Sequence, residues 1–272
     1  MRGEPMKIAF CFLSIGDVSQ PNLWTRFFSL APHEKYRIYC HPKEPELVTS
    51  QFLRNGIVRN RVATKHGDVS LVQATLSLFS AAFHDDPKIQ YFVLLSESTI
   101  PILPFDQIYK VVERQARRSI VNYSVPPPNS EHHKRLSSVT KPELFAKAFF
   151  QHDQWVVLHR SHVVKLLDQA PLSAFKYVFA PDEHYFMNVL VHLKCATLDE
   201  FVKHAVTYVN WQERTTKTHK DPITGQVIGV TVHPKTYYRL SELDVGQALG
   251  ANCWFIRKVD STCDCAFLSA SV

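Results

Sequence analysis

Glycine is scarce, with eight residues in a chain of 272. No GxxxxGK[ST], GxGxxG or GxSxG occurs, so P-loop, dinucleotide-fingerprint and nucleophile-elbow chemistry lack their usual backbone turns. No HExxH is present among the 14 histidines and no DxD among the acids, which removes the common sequence signals of a zincin and of a cation-bound nucleotide sugar. No stretch approaches the roughly 18 apolar residues of a membrane span. The opening MRGEPMKIAFCFLSIGD enters its apolar run too early and too briefly for a signal peptide, so a soluble cytoplasmic protein without a membrane span is expected. Six cysteines are too few for a disulfide scaffold at this length. Cys263 and Cys265 form a CxC with no second pair to complete a zinc site. Charge of neither sign dominates: 31 Lys and Arg against 25 Asp and Glu leave +6. The cations are scattered, which suits an anionic ligand and argues against nucleic acid as a partner.

Apolar residues are plentiful, at 45%, enough for a real core. Residues 7–13 (KIAFCFL) and 91–95 (YFVLL) are continuous apolar runs of strand length, the pattern of parallel strands covered on both faces. Residues 36–40, 119–121, 155–158, 207–209 and 253–257 read as further strands. Helices are expected over 22–30, 105–115, 161–169 and 241–249, and after Asp68, where apolar residues 69, 72, 76, 79 and 83 step by three and four. The segment PPPNSEHHKR reads as a mobile, solvated loop, and 212–226 as a polar connection. Strands alternating with helices predict one α/β domain over 1–272, a mostly parallel twisted sheet with helices on both faces. Its donor-binding part spans about 1–125 and its acceptor-binding, catalytic part about 126–272.

The carboxylates carry the chemical lead. Pro181 before Asp182 and Glu183 has the form of a helix first turn, where backbone N–H groups and the helix dipole favour an acid. Capping accounts for one acid and leaves Glu183, followed by His184, Tyr185 and Phe186, available for chemistry. Lys235, Arg257 and Lys258 are late cations that can grip a diphosphate. Asp85 and Asp86, at a turn before Pro87, read as structural.

HGDVSLVQATL (66–76), DDPKIQYFVLLSESTIPILPFDQIY (85–109), QWVVLHRSHV (154–163), PDEHYF (181–186), TYVNW (207–211), HPKTYY (233–238) and CWFIRKV (253–259) follow one another in the order and spacing of the core-2/I-branching β-1,6-N-acetylglucosaminyltransferase family. The chain resembles its plant-type branch most. The resemblance implies a GT-A-like fold and an inverting transferase that uses a UDP-sugar, without a cofactor or divalent metal, to modify a glycan or glycoprotein. The family includes xylosyltransferases as well as N-acetylglucosaminyl transfer. By motif, it implies Glu183 as catalytic base and Lys235 and Lys258 as diphosphate ligands, beside the Arg257 that the charge pattern offers. Asp182 is then a cap that orients its neighbour, while Ser70, Glu97, Trp155, Trp211 and Tyr237 are candidate donor or acceptor contacts. The chain departs from the family in Lys235, where branching enzymes carry arginine, and in Val259, where phenylalanine is usual. The stem, membrane anchor and disulfide set of luminal members are also missing, which fits a cytoplasmic enzyme of a microbe or virus. Two alternatives stay open on the sequence: a carbohydrate-binding protein that has lost turnover, and a metal-dependent transferase on the same fold.

Overall fold

The apolar run at the start of the chain becomes β1 (Lys7–Ser14), buried along its whole length. Its side chains alternate between two cores, as a strand's period of two requires. Ile8, Phe10 and Phe12 join one cluster, while Ala9, Cys11 and Leu13 join the other. The computed structural model describes residues 5–145, 148–169, 171–220, 226–270 and 272.

On the first face lies α1 (Pro21–Ser29), begun by a proline whose fixed φ suits the first helical position. It buries Leu23, Trp24, Phe27 and Phe28. Phe10 and Phe12 meet these rings edge-on, Phe12 on Trp24 at 5.0 Å and Phe10 on Phe28 at 5.2 Å. β2 (Tyr36–Pro42) follows, then the short α2 (Gln51–Arg54), whose Leu53 joins the α1 cluster, and the long α3 (Ser70–Asp85) on the opposite face. Val72, Leu76 and Phe79 of α3 are buried as their spacing predicts. Asp68 does not cap α3 from the position before it; its Oδ1 accepts from the N–H of Ser70 at 2.9 Å.

Next come β3 (Ile89–Ser96), β4 (Ile100–Pro101), α4 (Phe105–Glu113), β5 (Ser119–Ile120) and β6 (Tyr123–Ser124). The segment expected as a mobile loop contains a helical turn, α5 (Glu131–Lys134), whose cap Ser130 accepts from the N–H of His133. β7 (Gln151–His152), β8 (Val157–His159), α6 (Arg160–Gln169) and α7 (Tyr185–His192) complete the second layer. After β9 (Phe201–Val202) and β10 (Thr207–Val209), the polar connection 212–226 contributes β11 (Thr215–Lys220) to an antiparallel hairpin with β12 (Val227–His233). Residues 221–225 of that connection lie outside the described residues. The chain closes with α8 (Glu242–Gly250) and β13 (Phe255–Arg257).

The central sheet has six strands in the order β2-β1-β3-β8-β5-β9. β1 runs parallel to β2 and β3, and β5 to β9, while β8 lies antiparallel to both of its neighbours. The architecture is α/β with a mostly parallel sheet between two helical layers, as the sequence implies. Because β1, β2 and β3 run the same way, Ser14, Pro42 and Ser96 end on one edge, where parallel α/β sheets bind ligands. A second sheet, β10-β13-β4, brings Arg257 to that edge. Asp85 and Asp86 are structural: Asp85 accepts from the Tyr39 hydroxyl at 2.7 Å, and Asp86 pairs with Lys7 at 2.5 Å. No helix among the described residues is long and apolar enough to cross a membrane.

Candidate active site

Pro181, Asp182 and Glu183 form a single 3-10 turn rather than the start of the helix. His184 then leaves helical geometry at φ −136°, and α7 begins at Tyr185. The cause is tertiary. His184 Nδ1 donates to the carbonyl of Phe150 at 2.9 Å, and its ring stacks on Phe149 at 4.7 Å. Asn188 ties the same strand down, donating to the carbonyls of Phe150 and His184 and accepting from the N–H of Phe150. Burial pushes His184 down to about 3, so this ring is a neutral structural pillar.

Glu183 stands half-buried on that pillar. Its Oε2 accepts from Arg135 NH1 at 2.8 Å, and the same nitrogen donates to His184 Nε2 at 3.3 Å. His132 Nδ1 lies 3.9 Å from the same oxygen. Among the described residues, Oε1 has no hydrogen-bond partner. His132, Glu183 and His184 thus offer three ligand atoms within 4.8 Å of one another, a donor set of the kind that holds a divalent cation. Arg135 already bonds two of the three, so a guanidinium supplies the positive charge there. Neither Arg135 nor His132 was singled out by sequence reasoning, which took His132 for a solvated residue. The Ser130 cap was the one local sign of order.

Asp182 does not serve as a helix cap. It is 6% exposed, and its Oδ1 has no partner. Burial first, and the charge of Glu183 second, push its carboxyl up to about 7, because desolvation disfavours the ionised form.

A second cluster gathers where β3 and β13 end. Arg257 Nε donates to Ser96 Oγ at 3.2 Å, and its guanidinium lies 4.3 Å over the Trp155 ring. Burial pulls Arg257 down to about 10, against the opposing charge of Glu97. Lys258 is lowered by burial and then by Arg257, again with Glu97 opposing. Ser96, Glu97, Trp155, Arg257 and Lys258 therefore share one neighbourhood. The backbone of Lys235 joins it, since Lys258 N–H donates to the Lys235 carbonyl at 3.4 Å. The Lys235 ammonium turns elsewhere, to Glu213 at 2.9 Å and Asp244 at 3.3 Å. Sequence reasoning saw two free lysines; the fold neutralises one with acids from the hairpin's approach and from α8.

The remaining candidates divide by burial. Trp211 is 52% exposed beyond β10, whereas Tyr237 is fully buried beneath Lys235, whose Nζ lies 4.8 Å from the ring centre. Tyr237 thus supports the lysine and has no surface to offer a sugar. Ser70 is buried, its Oγ accepting from the N–H of Lys65 at 2.9 Å. The segment 151–155 joins the two clusters: His152 Nε2 accepts from the N–H of Phe186 at 3.2 Å, and Trp155 carries Arg257. Between them the Asp153 carboxyl is raised by burial, Asn122's bond opposes, and the charge of Glu183 adds to the rise. A cavity of about 1210 Å³ lies elsewhere, between β2 and α3 past Arg37, Arg59 and Ser77. It contains none of these residues.

The Asp182 shift has a definite sign. Above 3.8 an unfolded chain ionises this carboxyl, while the folded chain keeps it protonated up to about 7. Stability therefore falls as pH rises between those values and levels off above them, by at most about 4 kcal/mol. Asp182→Asn is expected to raise the calorimetric Tm by several degrees at pH 8, with the gain shrinking toward pH 4. A lower Tm at pH 8 would show that an ionised Asp182 is used by the fold.

A model of the core-2/I-branching enzyme family matches residues 8–240. No curated protein resembles the sequence closely enough to count as a match. Among solved structures, the apo structure of the bifunctional glycosyltransferase WbbM aligns with 93% of this chain at 10% identity and a TM-score of 0.41. A197 from STIV aligns with 44% at 15% identity and a TM-score of 0.24. The chain spans just under half the length of each, 45% and 48%. With its family model covering most of its length, the chain belongs to the core-2/I-branching enzymes.

Proposed function

We propose that the protein is an inverting transferase that moves a sugar, xylose or N-acetylglucosamine, from a UDP-sugar to a glycan hydroxyl. The linkage formed is β, and no divalent metal takes part. The observation that carries this reading is the state of Glu183: one carboxylate oxygen held by Arg135, the other without a protein partner among the described residues.

Inversion requires one base. The acceptor oxygen attacks C1 of the donor sugar, its proton passes to Glu183 Oε1, and the C1–O bond breaks with its electrons going to the UDP phosphate. No second carboxylate is needed as nucleophile, unlike a double displacement. Asp182 is unsuited to that task, being sealed from solvent and held neutral over most of the acid range.

The leaving diphosphate needs positive charge as the bond breaks. Arg257 and Lys258 supply it at the end of β13. Both are partly desolvated and lowered by burial, so an arriving anion restores the interaction that burial removed. Lys235 reaches the diphosphate only by leaving or sharing Glu213 and Asp244. Arg135 plays a different part: it fixes the base, and its guanidinium takes the place a cation would need between Glu183 and His184.

In a UDP-release assay across donor sugars, Glu183→Gln is expected to cut transfer by about a thousandfold while leaving UDP affinity within a few-fold of wild type. Near wild-type turnover would refute the base assignment. In the same assay EDTA is expected to leave activity intact; loss of transfer restored by Mn²⁺ would refute the metal-free mechanism.

A further inference from the structure

Phe179 is 56% exposed, four residues ahead of Glu183. A lone exposed phenylalanine is ordinary on a protein surface. This one is held in place by three separate contacts. Its ring edge packs where a side chain on Gly67 would be: a Cβ there would come within 2.6 Å of the ring, and Gly67 has φ +69°. The next residue, Ala180, adopts a left-handed φ of 49° and donates its N–H to the Gly67 carbonyl at 2.9 Å. The Arg135 guanidinium lies 5.1 Å from the ring centre, and it is the same group that bonds Glu183.

A left-handed alanine is costly, and strain kept in place beside a reactive group points to use. Little is gained for the core, because the residue stays more than half exposed. Phenylalanine also has no polar atom to satisfy there. What the arrangement achieves is a rigid apolar face coupled by one guanidinium to the carboxylate. The matching ligand chemistry is a pyranose, whose C–H face packs on an aromatic ring while its hydroxyls remain free at the edge.

We propose that Phe179 is the acceptor platform: a sugar ring of the acceptor glycan stacks on it and presents its hydroxyl toward Glu183. This rests on the transferase reading above and adds the residue that selects for a carbohydrate acceptor over water.

The test compares wild type with Phe179→Ala and Phe179→Trp. Saturation-transfer NMR uses methyl β-D-galactopyranoside, methyl β-D-glucopyranoside and methyl α-D-mannopyranoside, and kinetics use UDP-sugars with and without glycoside acceptors. Ring-proton signals are expected from wild type and Phe179→Trp and lost in Phe179→Ala. The acceptor KM of Phe179→Ala is expected to rise about tenfold, a much larger loss in transfer than in UDP-sugar hydrolysis by water. Equal NMR signals from wild type and Phe179→Ala, no signal from any glycoside with wild type, or hydrolysis falling as far as transfer would each overturn the platform. Absence of both hydrolysis and transfer in wild type with every donor would instead overturn the transferase reading, while the NMR comparison still judges Phe179.

Discussion

The ion pair between Arg135 and Glu183 is the contact on which the site depends. If Glu183 is the base proposed above, it must be aimed without having both oxygens occupied. Arg135 meets that requirement by bonding Oε2 alone, at 2.8 Å, and His184 meets it from below by accepting from the same guanidinium nitrogen. His184 can do so because burial keeps it neutral and its other nitrogen is committed to the Phe150 carbonyl. Remove that commitment and the ring loses the orientation that makes it an acceptor for Arg135. The turn at Pro181, the break at His184 and the delayed start of α7 are therefore one device.

The second half of the site follows from sheet topology. Parallel β1 and β3 deliver their ends to one edge, and β13 brings Arg257 and Lys258 to it through β4. Trp155 covers the Arg257 guanidinium, so the cation is held by stacking and by Ser96 rather than by a carboxylate bond. Lys235 shows the contrary arrangement. Its two acid partners satisfy it before any ligand arrives, which favours Arg257 and Lys258 for the proposed diphosphate contact.

Much of the fold was legible in the sequence because burial on both faces writes itself as an unbroken apolar run. Residues 7–13 and 91–95 read as buried strands and are β1 and β3. The stepping of Val72, Leu76 and Phe79 likewise gave α3 its buried face. Asp182 was misread because Pro-Asp-Glu has the local form of a helix start; the bonds of His184 and Asn188 to Phe150, 34 and 38 residues away, override it. Arg135 was invisible for a similar reason. It lies 48 residues from Glu183, in a polar segment whose composition suggests solvent, and no spacing rule links the two. The pairing of Lys235 with Glu213 and Asp244 is again tertiary, so a lysine at a strand end looked free. Local pattern shows which residues are buried; which polar groups meet is decided by the fold.

The most direct measurement of the central claim is chemical rescue of Arg135→Ala. If the guanidinium aims Glu183, this variant has a depressed kcat with UDP affinity retained, and added guanidinium ion restores turnover while an equal concentration of ammonium or sodium does not. Wild-type kcat in Arg135→Ala, or a loss that guanidinium leaves untouched in a protein with an unchanged Tm, would contradict the account.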